Sequence, residues 1–195
     1  MSYAILIRHS ISLQEKARSA HHWSLTDAGR MRCDALAQRL RGYDITRYIS
    51  SDEPKAIQTA QQVVGHLKGD RTSPMIDRRL RETTRETAPY FENVDEFRAN
   101  IRRAMYSPDE LLFGEETFKD ALTRFSAGVA DLVMDGKSGS LAMFTHGTVM
   151  SLYIAQQTGL DAFGIWQLLD MPSFAVFRLP SLEICEICFS VNTIF

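Results

Sequence analysis

The feature that most constrains this chain is the run of residues 4–7, which is apolar throughout and ends at Arg8 and His9. A short apolar run without turn residues is typical of a strand buried on both faces in the middle of a parallel sheet. In open α/β sheets, ligands bind beyond the carboxyl ends of such strands. Arg8 and His9 therefore form a candidate anion site with a nucleophile or base in it. The alternative is that both are surface residues that close a core strand.

Two further strand ends carry residues of related chemistry. Residues 45–50 predict a second strand, after which Lys55 falls in the first turn of a helix that begins near Pro54. The helix dipole disfavours a cation there unless an anion lies beside it, although a solvated lysine is the alternative. Residues 140–145 predict a third buried strand, which ends at His146, at the N-terminus of a helix whose free N–H groups favour an anion.

The remaining periodicity predicts an α/β protein in which strands alternate with amphipathic helices. Thr26 is predicted to cap the first helix, which runs to Gly42, and Ser51 or Asp52 is predicted to cap the second. Apolar spacing predicts further helices between Val94 and Met105, from Thr117 to Gly136 and from Gly147 to Gly159, and two last strands at 174–179 and 184–191.

The length of 195 residues predicts a single domain, 1–195. Within it, residues 71–113 are predicted to form an insertion that covers the strand ends as a lid, because much of this segment is dense in charge without a clear period. Its arginines could reach an anion, but for most of them a self-paired, solvated face is the favoured interpretation. The polar segment 11–23 is predicted to be a loop over the end of the first strand.

The composition limits the partners and the compartment that we expect. The formal net charge is −2, so no global field favours nucleic acid or an anionic membrane, and no apolar stretch is long enough to span a membrane. The N-terminus has no signal-peptide pattern. Three cysteines argue against a disulfide framework, and Cys185 and Cys188 point to opposite faces of a predicted strand. We expect reduced, buried thiols in a cytoplasmic protein.

Taken in order, the motifs resemble those of the histidine phosphatase superfamily, also called the phosphoglycerate mutase-like fold, over nearly the whole chain. Arg8, His9 and Ser10 match the Arg-His-Gly that follows the opening strand, and residues 144–147 match the hydrophobic-x-His-Gly motif. Two other motifs match here, Leu-Thr-x-x-Gly at 25–29 and Leu-x-Glu at 80–82. Residues 51–60 correspond to Ser-x-x-x-Arg-Ala-x-Gln-Thr-Ala with Lys55 in the arginine position, and Gly-Glu-Glu at 114–116 resembles Gly-Glu-Ser. The resemblance implies a three-layer α/β/α sandwich with a mostly parallel central sheet and a helical lid insertion.

The resemblance also implies how the residues act. His9 would attack phosphorus to form a phosphohistidine, Arg8 would bind phosphoryl oxygens, and His146 would stabilise the transition state. Glu82 would protonate the leaving oxygen and then activate water, with Glu86 as the rival acid. No metal or other cofactor is implied, because side-chain cations neutralise the phosphate. The substrate-binding set consists of Lys55, Ser10, Ser12, Gly147 and Thr148.

Three positions depart from the family pattern. Ser10 replaces glycine beside the nucleophile, and Glu15 stands where many members carry asparagine. Lys55 replaces arginine, which keeps the charge but gives up bidentate geometry. Together these changes could alter substrate choice or weaken the catalyst. Both histidines and one arginine are present, and we therefore expect an active enzyme.

The sequence thus predicts a metal-independent phosphomonoester hydrolase that acts on a small phosphorylated metabolite. A catalytically weak or inactive phosphate-binding, regulatory domain is the alternative from another class. A phosphoglycerate mutase is disfavoured, because those members tend to be longer, with segments that this chain lacks. The expected partner is a small-molecule phosphate ester, with no nucleic acid and no membrane, and a homodimer is left open. Specificity would lie in segments 11–23 and 71–113, neither of which identifies the substrate.

Overall fold

The computed structural model describes residues 1–69 and 72–192, so Arg71, the first residue of the predicted lid, lies outside the described residues. These ranges form a six-stranded sheet with helices on both faces. The strands are β1 (Tyr3–Arg8), β2 (Ile45–Ser50), β3 (Met75–Ile76), β4 (Ser140–Thr145), β5 (Ser173–Arg178) and β6 (Glu183–Cys188). The helices are α1 (Asp27–Leu40), α2 (Pro54–Lys68), α3 (Val94–Tyr106), α4 (Phe118–Met134), α5 (Gly147–Thr158) and α6 (Ala162–Leu168). None of these described helices is both long and apolar enough to cross a bilayer.

The sheet has the strand order β3-β2-β4-β1-β5-β6, and the pairs β1 with β4, β4 with β2 and β2 with β3 are parallel. Strand β5 is antiparallel to both of its neighbours, β1 and β6. This arrangement confirms the predicted α/β class with a mostly parallel sheet. It also explains the apolar run at the start of the chain, because β1 lies in the interior of the sheet and its residues Ala4 to Ile7 are at most 1% exposed.

Alternate residues of the central strands face different helical layers, which produces the three-layer sandwich. Leu6 packs in a cluster with Phe125 of α4, whereas Ile7 packs in a second cluster with Leu36 of α1 and Val63 of α2. Both faces of the sheet are therefore covered by apolar side chains. Polar groups can therefore meet a ligand at the ends of the strands, which the helices do not cover.

The helical part of the predicted insertion is α3, which lies between β3 and α4 in the chain. Its buried residues Ile101 and Met105 form a third cluster with Phe118 of α4, Leu152 of α5 and Phe163 of α6. The insertion therefore has a core of its own that is joined to one helical layer of the sandwich. The helix is confirmed, and its action as a lid stays a prediction.

Several details differ from the sequence-based expectations. Strand β3 and helix α6 were not predicted, because two and seven residues are too few to establish a period. The N-cap position of α2 is Glu53, not Ser51 or Asp52, and its side chain forms no capping hydrogen bond. The Ser51 hydroxyl contacts His146 instead. The expectation of buried thiols is wrong for Cys185, which is exposed because β6 is an edge strand with one face open to solvent.

Candidate active site

The ends of β1 and β4 bring the two histidines of the sequence motifs together. These strands are parallel neighbours in which Arg8 pairs with Thr145, so that His9 and His146, the next residue of each chain segment, lie side by side. Their ring centroids are 5.1 Å apart, with the ring planes inclined at 59°. Arg8, His9 and His146 line one end of a cleft of about 580 Å³ and are termed the floor below.

His9 is held with one ring nitrogen unprotonated. Its backbone N–H donates to the Thr145 carbonyl at 3.0 Å, and its Nδ1 lies 2.7 Å from the Ser10 carbonyl oxygen. Because a carbonyl can only accept, Nδ1 carries the proton and Nε2 keeps its lone pair. Burial, and after it the charges of His146 and nearby cations, hold the pKa of His9 well below its ordinary value. A neutral imidazole with a free Nε2 is the form that attacks an electrophile.

The loop after His9 is supported by the Leu-Thr-x-x-Gly motif. The Thr26 hydroxyl accepts the Gly29 N–H at 2.9 Å, and the Thr26 N–H donates to the Ile11 carbonyl at 3.0 Å. A Cβ on Gly29 would lie 2.2 Å from that same carbonyl oxygen, so the close approach of the loop requires glycine. The Ser10 hydroxyl donates to the Gly29 carbonyl at 2.7 Å. Ser10 is fully buried and does not line the cleft, so its hydroxyl is directed away from the predicted substrate position.

Arg8 lies beneath the start of α5. One of its terminal nitrogens donates to the Leu169 carbonyl, and its buried Nε has no hydrogen-bond partner in the described part of the chain. A Cβ on Gly147 would be 3.0 Å from both Cζ and Nε of Arg8, so glycine makes room for the guanidinium. Burial lowers the pKa of Arg8. The negative charges of Glu82 and Asp170 raise it, but by less than burial lowers it. The floor thus contains a desolvated cation, whose attraction for an anion is stronger than it would be in water.

His146 is fully buried, and its two ring nitrogens have different surroundings. Its Nε2 lies 2.8 Å from the Ser51 hydroxyl and 3.2 Å from Oε1 of Glu53. Its Nδ1 has no hydrogen-bond partner within residues 1–69 and 72–192. Burial, followed by the charges of nearby cations, of which Lys55 acts most strongly, holds the pKa of His146 well below its ordinary value. When Nε2 accepts from the Ser51 hydroxyl, Nδ1 carries the proton of the neutral ring and can donate to a phosphoryl oxygen.

A buried carboxylate that the sequence analysis missed lies against His146. Glu53 is 2% exposed, its Oε2 accepts from Lys55 Nζ at 2.5 Å, and its Oε1 accepts the Glu82 N–H at 2.8 Å. Burial by itself raises the pKa of Glu53, but the charge and hydrogen bond of Lys55 outweigh it and the pKa is lowered. Lys55 also donates to the Ala20 carbonyl at 2.5 Å. The charge of Lys55 is therefore already compensated within the protein.

Glu82 lies at the N-terminus of α5. Its carboxylate accepts from the backbone N–H groups of Thr148 at 3.0 Å and Val149 at 3.2 Å, and from that of Thr83 at 3.0 Å. It therefore binds the backbone amide of Thr148, a residue that the sequence analysis assigned to substrate binding. Glu86, the rival acid, is exposed and lines the same cleft. Both carboxylates stay candidates for the general acid.

With the exception of Ser10, the predicted site residues converge on this one cleft. Glu15, at a position where many members of the family carry asparagine, does not line it. In the described ranges, no group of three or more histidine, cysteine, aspartate or glutamate side chains is arranged to hold a metal ion. The roles assigned to the converging residues stay predictions. The predicted residues that line the cleft are Arg8, His9, Ser12, Lys55, Glu82, His146, Gly147 and Thr148.

Residues 81–98, termed the wall, form the outer part of the cleft together with the loop after β1. Tyr90 of the wall meets Trp23 of the loop edge to face, with ring centroids 6.3 Å apart. The guanidinium of Arg85 lies 5.0 Å from the centre of the Phe97 ring. Aromatic rings and cations therefore surround the space into which a substrate would extend from the floor.

Comparison with known families gives one match that covers most of the chain. A family model described as histidine phosphatase superfamily (branch 1) matches residues 4–180. This span includes every residue of the floor and the wall. No curated protein sequence matches the chain significantly.

Solved structures at low sequence identity have the same fold. The mycobacterial glucosyl-3-phosphoglycerate phosphatase in complex with inorganic phosphate is 20% identical, covers 100% of both chains and has a TM-score of 0.72. YhfR of Bacillus stearothermophilus is 20% identical, with 100% of this chain and 98% of that chain covered and a TM-score of 0.74. The phosphoserine phosphatase of Entamoeba histolytica is 17% identical, with 98% of each chain covered and a TM-score of 0.69. At such identities the similarity establishes the fold alone.

Proposed function

The chain belongs to the histidine phosphatase superfamily, and from this membership we propose that it hydrolyses phosphomonoesters through a phosphohistidine on His9. The observation that carries the proposal is the geometry of the floor. Two imidazoles lie 5.1 Å apart, and the hydrogen bond from His9 Nδ1 to the Ser10 carbonyl leaves Nε2 as the nucleophile. Arg8 provides the cation beside them, and the unpaired Nδ1 of His146 provides a second contact for the phosphoryl group.

In the first step, Nε2 of His9 forms a bond to phosphorus while the P–O bond of the ester breaks. The electron pair of that bond leaves with the ester oxygen, which takes a proton from Glu82 or from its rival Glu86. Arg8 and His146 bind the phosphoryl oxygens, on which negative charge is concentrated. Glu82 is proposed first, because its carboxylate is fixed at the N-terminus of α5, next to His146.

In the second step, the carboxylate that gave up its proton takes one from a water molecule, and the water oxygen attacks phosphorus. The N–P bond breaks, its electron pair returns to Nε2 of His9, and orthophosphate leaves. The same residue thus acts first as an acid and then as a base. We propose that the reaction needs no metal, since Arg8 is a permanent cation at the reacting group. A chelating agent should then leave the rate unchanged.

The proposed substrate is a small phosphorylated metabolite. The cleft volume of about 580 Å³ lies within the range of ordinary small-molecule sites. A screen of phosphorylated metabolites against the wild-type protein is the measurement that identifies the compound. The solved phosphatases named above act on different phosphate esters, so they do not choose among substrates for this chain.

The test of the proposed function is the release of phosphate from p-nitrophenyl phosphate by the wild-type protein and by His9→Ala. We expect turnover by the wild type and a rate at background for the variant, because no other side chain replaces the nucleophile. His66→Ala is the matched control, since His66 is exposed on α2 and lies outside the cleft. Rapid quenching with labelled substrate should also trap an alkali-stable phosphohistidine in the wild type. Undiminished turnover by His9→Ala would rule out the proposed nucleophile.

A phosphate-binding domain without turnover is the second candidate. The observation that favours it is Glu53, a buried carboxylate that compensates Lys55 and contacts His146. An anion-binding site with less net positive charge stabilises a transferring phosphoryl group less. If the wild type binds inorganic phosphate but releases none from any ester in the metabolite screen, this second candidate replaces the first.

A further inference from the structure

The positive charges around the floor must balance the negative charges of a bound phosphate ester. A phosphate monoester carries nearly two negative charges at neutral pH, and Arg8 supplies one compensating charge. Lys55 was predicted to supply another, but its ammonium lies 2.5 Å from the Glu53 carboxylate, and both side chains are buried. The Glu53 carboxylate offsets the Lys55 charge in part, although Lys55 is still the charge that lowers the pKa of His146 most. The ammonium also uses donors on Glu53 and on the Ala20 carbonyl, so a phosphoryl group gains more from a cation whose donors are free.

Within the described ranges, Arg85 of the wall is a cation without a counter-ion. Its side chain forms no hydrogen bond or ion pair with any residue there, and its guanidinium lies over the Phe97 ring. Neighbouring arginines of the wall differ in this respect, because Arg81 is bound to Asp52 and Arg98 to Asp95. Arg85 is half-buried and lines the same cleft as the floor.

The position of Arg85 is fixed by its neighbours in the chain. The Thr84 N–H donates to the Glu116 carboxylate at 3.0 Å, and the Glu86 N–H donates to the Glu115 carboxylate at 2.9 Å. These two anchors hold the backbone on both sides of Arg85. The contact with the Phe97 ring needs no hydrogen-bond acceptor, so the N–H groups of the guanidinium remain available to donate.

Arg85 is also close enough to the floor to act on its electrostatics. Its charge is among those that lower the pKa of His146, after burial and the charges of Lys55 and His21. The geometric support is that Arg85 and the floor line the same cleft, so a phosphoryl group bound at the floor shares that space with the guanidinium.

We propose that Arg85 supplies the second cation that binds the transferred phosphoryl group, in place of Lys55. The inference rests on the proposed function for the identity of the ligand. It assigns to the wall, and not to the sheet, one of the two guanidinium groups that hold the phosphate. Its planar fork of donors suits two phosphoryl oxygens better than an ammonium group does.

The test compares Arg85→Gln with the matched control Arg102→Gln. Arg102 also belongs to the insertion and stacks on rings, at 5.8 Å from those of Tyr106 and Phe163, but it does not line the cleft. The probe is inorganic phosphate, used as a competitive inhibitor of p-nitrophenyl phosphate hydrolysis. We expect the inhibition constant to rise about ten- to hundredfold for Arg85→Gln and to stay within about threefold for Arg102→Gln, given the strength of charge-assisted hydrogen bonds.

Two further measurements separate binding from a structural effect. Guanidinium ion added at millimolar concentration should restore phosphate inhibition to Arg85→Gln, which a merely distorted wall would not allow. Arg85→Lys, which keeps the charge and the aliphatic stem, should bind phosphate between the wild type and Arg85→Gln, and it carries the test if Arg85→Gln does not fold. Equal phosphate affinity of the wild type and either Arg85 variant overturns the proposal, as does an equal loss for Arg102→Gln.

Failure of the Arg85 proposal and failure of the proposed phosphatase function give different results. If the wild type shows no turnover, phosphate affinity is measured directly by calorimetry on the same variants, with the same expected differences. A wild type that turns over ester while Arg85→Gln matches it in phosphate inhibition rejects Arg85 and leaves the phosphatase proposal intact. A wild type that binds no phosphate by either method rejects both.

Discussion

The floor and the wall of the cleft are built in opposite ways. The floor stands at the ends of two parallel strands, where the pairing of Arg8 with Thr145 fixes His9 and His146 side by side, both at most 6% exposed. The wall is mainly a loop and the first turns of α3, held by carboxylate-to-amide hydrogen bonds and stacked rings. The difference teaches that the two imidazoles and Arg8 are placed by the rigid sheet, whereas Glu82 and Arg85, for which we propose further roles, are placed by a loop.

The largest expected effect is on the floor. We expect His146→Gln to lower kcat for p-nitrophenyl phosphate about 10²- to 10³-fold, as for removal of one donor to a developing anion, with little change in fold by circular dichroism. The control is His22→Gln, an exposed histidine outside the cleft. If kcat falls less for His146→Gln than for Arg85→Gln, the division of labour between floor and wall is reversed.

A smaller effect is expected from crowding the floor without removing any of its groups. Gly147→Ala places a methyl 3.0 Å from the Arg8 guanidinium, which must shift while its hydrogen bond to Leu169 strains. We expect kcat/KM to fall about tenfold, the cost of misplacing one charge-assisted contact, while the melting temperature holds because alanine favours helix.

Gly164→Ala is the control for that change. It adds a methyl near the start of α6, where the contact at 3.0 Å is with the Asp161 carboxylate and not with the floor. Equal activity of Gly147→Ala and the wild type would mean that the guanidinium of Arg8 tolerates displacement, and the floor would then be less rigid than its packing indicates.

The same contrast explains what could be predicted from the sequence. An apolar run that ends in Arg8 and His9 specifies a central strand and its functional end, because burial of β1 and the position of its last residues are both local consequences of the pattern. The position of Lys55 in the first turn of α2 follows from Pro54 in the same way. These features need no knowledge of distant parts of the chain.

The features that were missed depend on contacts between distant segments. Glu53 is indistinguishable in sequence from an ordinary acid at a helix start, and its burial follows from the contacts with His146 and Lys55. The Ser10 hydroxyl is directed at Gly29 because the loop after β1 packs closely on α1. Arg85 differs from the other arginines of the wall in having no counter-ion among residues 1–69 and 72–192, which composition cannot reveal.

The burial of the floor also predicts how stability depends on pH. Burial and nearby charges lower the pKa of His9 and of His146 well below 6.5, so below that pH the unfolded chain binds more protons than the folded one. Stability should therefore fall as the pH drops below 6.5, by up to about 1.4 kcal/mol per pH unit for each histidine. Urea unfolding at pH 7.5 and at pH 5.5 measures the loss.

His146→Gln removes one of the two groups, so this variant should lose less stability than the wild type between the two pH values. His66→Gln, which changes an exposed histidine on α2, should lose as much as the wild type. An equal loss for His146→Gln and the wild type would show that folding does not lower the pKa of His146, as expected if Glu53 offsets the cost of burying its charge.

The smallest expected effect concerns the aromatic part of the wall. The ring of Tyr90 packs edge to face against that of Trp23, and both line the cleft. Tyr90→Leu therefore removes a ring that an aromatic ester would contact, and it leaves the floor unchanged. We expect KM for p-nitrophenyl phosphate to rise about threefold with kcat unchanged, since one aromatic contact is worth roughly 0.5–1.5 kcal/mol.

Two controls accompany this prediction. The KM for glycerol phosphate, which has no ring, should be the same for Tyr90→Leu and the wild type. Tyr106→Leu, an exposed tyrosine of α3 outside the cleft, is the second control. A fall in kcat for Tyr90→Leu would mean that the aromatic part of the wall also positions the reacting groups, and not only the substrate.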